Sequence, residues 1–211
     1  MSTTYIKEAC VESLLEARNA EILGADRLEV CANLELDGLT PTAELIKQVI
    51  AEVQIPVRVI IRPRAGNFVY TTVELEAMKR SIKLCKELGV EGVVFGVLQS
   101  NNRLDLRAIE LLANEARPMK TVIHKAIDYT PDSLEALREV LSIKCIDTVL
   151  TSGGTTTAFD GIRTLKAMIE LAGNKIELMP AGRITYLNVQ ELHKKLDAKA
   201  YHGSRIVGEL N

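Results

Sequence analysis

Residues 23–31 read LGADRLEVC, and the pattern returns as LGVEGVVFG at 88–96 and as IKCIDTVLTS at 143–152. Each copy joins the end of an amphipathic helical run to a short apolar run. In the first two, Gly24 or Gly89 supplies the left-handed turn residue favoured after a helix. The third lacks the glycine but keeps a polar residue before the apolar run. Eight such apolar runs follow one another: 5–10, 27–32, 56–62, 92–98, 120–126, 147–153, 175–181 and 198–204. Seven segments of helical periodicity lie between them, among them 75–88 and 131–141. Several open on a capping signal, at Thr40-Pro41-Thr42, Thr71-Thr72 and Thr130-Pro131-Asp132. Strict alternation of strand and helix implies right-handed crossovers and a parallel sheet. Eight strands close most naturally into a (β/α)8 TIM-type barrel. An open doubly wound sheet is the weaker option, because no GxGxxG follows the first strand.

The chain of 211 residues is long enough for a single barrel domain over 1–211. Only seven residues follow strand eight, so the eighth helix is expected to be short or missing. The wall beside strands eight and one should then be under-covered or covered by a partner, which predicts a homodimer. A net charge of −2 with no basic block argues against nucleic-acid binding. No signal peptide or membrane span is evident, which points to the cytoplasm and to Cys10, Cys31, Cys85 and Cys145 as thiols. None of them has the spacing of a structural zinc site.

Barrel enzymes carry their sites at the C-terminal ends of the strands, and side chains alternate along a strand. Leu28 and Val30 suit the helix-packing face of strand two, which leaves Arg27, Glu29 and Cys31 facing inward. The same alternation groups Ile6, Glu8 and Cys10 on strand one, and turns Arg58, Ile60 and Arg62 inward on strand three. His124 shares the inner face of strand five with Val122, while Lys125 aims outward or up the wall. The mouth should therefore hold Glu8, Glu29, Arg62, His124, Cys10 and Cys31, with Asp128 in the following loop. An ion pair of Glu29 with Arg58 or Arg62 would satisfy charges buried there. Arg62 and Arg64 flank a turn that could bind an anion. Gly182 and Ser204, in the loops after strands seven and eight, lie where these barrels usually cradle phosphate.

Cys85 and Cys145 read as small apolar fillers. Cys10 and Cys31 end neighbouring strands, roughly 4.8 Å apart, so their sulfurs could meet at a soft, low-coordinate metal such as Cu(I). A catalytic thiol, its pKa lowered by His124 and raised by the glutamates, is the other option.

With its segments KEACVES, GADRLEVCANLELDGLTP, VIIRPRAGNFVYT, GVVFGVL, IHKAID, VLTSGG, LMPAG and YHGSR in order, the chain resembles the CutC family of copper homeostasis proteins from about Ile6 to Arg205. The resemblance implies a barrel, often dimeric, with Cu(I) held by Cys10 and Cys31 and polar mouth residues at Glu8, Glu29, Arg62, His124 and Asp128. The family's Phe-His-Arg-Ala-Phe-Asp reads Ile-His-Lys-Ala-Ile-Asp here, so Lys125 keeps the charge without bidentate geometry. Its glycine triplet after strand seven reads Ala181-Gly182-Arg183. Two functions stay open. One is a copper-handling protein using Cys10 and Cys31. The other is an enzyme on a small anionic or phosphorylated metabolite, with Glu8, Glu29, His124 and Asp128 as acid–base residues and Arg62, Arg64, Lys125, Gly182 and Ser204 around the anion. No organic cofactor is indicated.

Overall fold

A computed structural model describes residues 5–211. Eight parallel strands lie in the order β7-β6-β5-β4-β3-β2-β1-β8. They are β1 (Ile6–Val11), β2 (Arg27–Val30), β3 (Val57–Ile60), β4 (Gly92–Phe95), β5 (Lys120–Ile123), β6 (Thr148–Thr151), β7 (Glu177–Pro180) and β8 (Ala200–Gly203). Seven helices alternate with them: α1 (Leu14–Ile22), α2 (Ala43–Glu52), α3 (Thr72–Leu88), α4 (Leu106–Ala116), α5 (Ser133–Val140), α6 (Ile162–Ala172) and α7 (Val189–Leu196). The sheet is a nearly closed barrel. Among the described residues no ladder joins β7 to β8, and the gap is bridged above the strands, where the Tyr186 N–H donates to the Arg205 carbonyl at 2.9 Å.

The capping signals set the helix starts. Thr42, Thr71 and Asp132 are the N-caps of α2, α3 and α5, and Thr71 with Glu74 forms a full capping box. Gly89 ends α3 at φ +76°, where a β-carbon would be strained.

The alternation of faces holds. Leu28, Val30, Val57, Val59 and Ile61 are buried in the layer between strands and helices. Val94, Val122, Leu150, Met179, Ala181 and Ala200 form a smaller apolar plug inside the barrel. Among the described residues no helix follows β8. The seam is nonetheless less open than expected, because the closing segment folds back. Ile206 and Leu210 are buried, and the Leu210 carbonyl accepts from Asn19 Nδ2 on α1 at 2.8 Å. Leu15, Ile22 and Leu23 remain exposed at α1.

Candidate functional site

The inward charges sort into two levels. Glu8 stands opposite Arg27 and His202 across the β1–β2 and β1–β8 ladders. Fully buried, it accepts from Arg27 Nε, from Arg58 Nη1 at 3.3 Å and from His202 Nδ1 at 2.9 Å. Arg27 also reaches Glu177 at 2.9 Å, and Arg58 reaches Glu91 at 2.8 Å. Burial by itself would raise the Glu8 pKa. The His202 hydrogen bond and the charges of Arg27, His202 and Arg58 outweigh it and hold Glu8 at about 2. Glu8 is thus a permanent anion at the base of a paired network, below the mouth where alternation had placed it.

Glu29 differs. Its expected ion pair with Arg58 or Arg62 does not form among the described residues, because Glu8 takes Arg27 and Arg58 while Arg62 turns to a loop. Glu29 Oε2 has no hydrogen-bond partner and lies 3.9 Å from His202 Nδ1. Burial first, and then the charge of Glu8, raise its pKa to about 7 against the pull of His202, Arg58 and Arg27. Burial disfavours a charged His202, but the Glu29 charge and the Glu8 hydrogen bond and charge outweigh it and raise its pKa.

Above this level, Cys10 Sγ and Cys31 Sγ are 3.4 Å apart, and all four cysteines are free. Cys10 opens onto a cavity of about 690 Å³ that fills the mouth. Cys31 is fully buried against Ile60 and Leu34, beneath the loop that follows β2. The pKa of Cys10 is well above that of an ordinary thiol. The Cys31 hydrogen bond, burial, the neighbouring Cys31 sulfur and the charges of Glu29 and Glu8 all push it up. The Cys31 contact and burial, with the glutamates adding to them, and not His124, therefore set the thiol's character. A resting nucleophilic thiolate is disfavoured, and a metal must displace protons to bind. Ligand atoms of Cys10, Glu29 and His202 lie within 4.8 Å of one another, so sulfur, oxygen and nitrogen donors converge beside Cys31. With metal–sulfur bonds of about 2.3 Å, the two sulfurs would subtend roughly 95° at a shared ion. That is a bent pair with room for a third ligand.

Arg62 and His124 line the cavity, but each is partly engaged. Arg62 Nη1 donates to the carbonyls of Leu36, Asp37 and Gly38 at 2.7, 3.1 and 3.1 Å, and Nη2 donates to Gly66 at 3.0 Å. It clamps the loop that covers Cys31, and its Nε makes no well-formed hydrogen bond among the described residues. His124 ends β5, and its Nδ1 accepts from the Ala126 N–H at 3.1 Å. Burial, and then the Arg62 charge, lower its pKa to about 3, so the ring is neutral. A base at neutral pH needs an accessible lone pair, and the one on this ring is already used.

Asp128 and Arg64 stand apart from the mouth. Asp128 accepts from Thr151 Oγ1, the Ser152 N–H and hydroxyl, and the Gly154 N–H, so it staples the β5 and β6 loops together. Arg64 pairs with Glu74 at 2.5 Å and donates to the Ala65, Asn67 and Val69 carbonyls. Neither lines the cavity. Lys125, Gly182 and Ser204 do line it. At Gly182 a β-carbon would lie 3.0 Å from Ser152 Cβ and 3.2 Å from the Thr156 carbonyl, so this glycine serves loop packing. His202 went unassigned in the sequence, although alternation along β8 from Ala200 would have turned it inward.

The family model of the CutC family matches residues 5–207. The chain is 39% identical over 200 residues to the human copper homeostasis protein cutC homolog, covering 95% of this chain and 73% of the relative. It is 36% identical over 197 residues to a family protein CutC of Xanthomonas campestris, covering 93% and 82%. The crystal structure of CutC from Streptococcus agalactiae superposes with a TM-score of 0.89 at 34% identity, covering 96% of this chain and 99% of that one.

Proposed function

The chain belongs to the CutC family, and from that premise we propose that it handles copper in the cytoplasm by binding Cu(I) between Cys10 and Cys31. The observation that carries this reading is the 3.4 Å approach of two free, buried sulfurs. Soft thiolates select Cu(I) over hard cations. Glu29 or His202 supplies the third donor that a bent sulfur pair admits. The Glu8–His202 hydrogen bond orients that imidazole as carboxylates orient metal-binding histidines. X-ray absorption on the Cu(I)-loaded protein checks this. Two sulfur scatterers with one light donor are expected, and a copper shell without sulfur contradicts it.

A second reading is favoured by the cavity. Its 690 Å³ is far more than one ion needs, and Arg62, Lys125 and Arg183 line it. It would suit an enzyme for a small anionic or phosphorylated metabolite, with Glu29 beside the substrate as the proton-transfer group. A thermal-shift screen of metabolites that finds no ligand counts against it. We also propose a homodimer, on the support of the exposed apolar side chains Leu15, Ile22 and Leu23 at α1.

A further inference from the structure

Two buried hydrogen-bond donors in the mouth lack a full hydrogen bond. Arg62 Nε and His124 Nε2 make no well-formed hydrogen bond among the described residues, although the two residues are only 3% and 6% exposed, and the buried Tyr70 hydroxyl beside Arg62 is likewise left without one. Buried donors left without a full hydrogen bond are costly, so a fold that retains two on the lining of one cavity calls for an explanation.

Neither can turn away. The other Arg62 nitrogens are fixed by four loop carbonyls. The His124 ring is pressed against the residue that follows β4, where a β-carbon on Gly96 would fall 2.7 Å from its Cε1 and Nδ1. Because Nδ1 accepts from Ala126, the proton of the neutral ring sits on Nε2. Both residues pack on one face-forming residue, Phe68. The Arg62 guanidinium lies 4.9 Å from its ring centroid and the His124 ring 4.8 Å. Both line the cavity together with Lys125 and Arg183, which form no ion pair among the described residues.

We propose that Arg62 Nε and His124 Nε2–H form the anchoring pair for a small organic anion, whose carboxylate or phosphate oxygens accept from them. His124 is then a neutral donor and not a base. The loops after β7 and β8 contribute the rim and not the cradle. The inference rests on the second reading only in taking the mouth as a ligand site. It needs no reaction there and no copper.

The protein has three histidines, so ¹⁵N-histidine labelling resolves His124. Acetate and inorganic phosphate, each titrated to millimolar levels against chloride at equal ionic strength, serve as probes for the two anion types. Saturable movement of the His124 Nε2–H signal by either is the expected result. His124→Asn keeps a side-chain oxygen where Nδ1 accepts from Ala126 but removes the outer donor, so affinity should fall about tenfold or more. If a probe binds saturably while His124 is unmoved and His124→Asn binds equally well, the anchoring pair is wrong although the mouth still takes anions. If neither probe saturates, both the pair and the ligand-site reading fall.

Discussion

Two glutamates on neighbouring strands show how little sequence separates opposite behaviour. Glu8 meets Arg27, Arg58 and His202, and its charge is held at about pH 2 and above. Glu29, two residues further along the β1–β2 ladder, pairs with no arginine among the described residues and rises to about 7. In the fold Glu29 holds its proton more tightly than in the unfolded chain. Its contribution is therefore complete below its ordinary pKa of 4.5 and is lost as pH rises through about 7. That loss is about 3 kcal/mol. Glu29→Gln keeps the shape without the charge, with Glu8, Cys10, Arg27, Arg58 and His202 still around it. Urea melts should show the variant gaining on the parent from pH 5 to pH 8, and parallel pH profiles would contradict this. Glu8→Ala should cost about 3–5 kcal/mol, since it removes the buried anion shared by Arg27, Arg58 and His202 and leaves the two arginines only Glu177 and Glu91 at the edge of the network. A loss under 1 kcal/mol would refute the network's role. Alternation sufficed to turn Glu8, Glu29, Cys10, Cys31 and His124 inward. It says nothing of height along the barrel or of which arginine meets which acid. Those depend on inter-strand stagger, which joins residues such as Glu8 and His202 that lie far apart in sequence.

At the scale of elements, the repeat of turn and apolar run located all eight strands, because a buried parallel strand leaves a short, uniform apolar signature. The capping residues located the starts of α2, α3 and α5 for an equally local reason. Loops were less legible. Arg64 and Asp128 looked like binding groups because they sit just past strand ends, yet they lie off the cavity lining and are held by loop groups, while Arg62 lines the cavity and also holds a loop. Whether a charged side chain serves a ligand or a loop depends on where backbone carbonyls and N–H groups end up, which periodicity does not encode. Two measurements address this level. Thr71→Ala removes half of the α3 capping box and should cost about 1 kcal/mol in a denaturant melt, where no change would show the box to be idle. Gly96→Ala places a methyl 2.7 Å from the His124 ring. It should cost about 1–3 kcal/mol and shift the His124 NMR signals, and an unmoved ring would contradict the tight seat.

Among the described residues the molecule is a barrel closed between β7 and β8 by loop contacts instead of a strand ladder, and covered beside β8 and β1 by its closing segment. Its inner volume is divided between an ion-paired base, an apolar plug and an open mouth. The closing segment leaves Leu15, Ile22 and Leu23 in the open, with Ile22 at 80% exposure. Light scattering should therefore find a dimer that Ile22→Glu dissociates, and a monomeric parent protein would contradict the proposed assembly. Copper binding must expel thiol protons from a site that already holds negative charge, so apparent Cu(I) affinity should rise with pH. An affinity flat with pH would mean that the thiols are not the ligands.

The most direct measurement is a Cu(I) titration of the reduced protein against a competing chelator, run beside the Cys10→Ser/Cys31→Ser double variant. Near-stoichiometric binding in the parent and its loss in the variant are predicted. A double variant that takes up Cu(I) as well as the parent would contradict the paired-cysteine site.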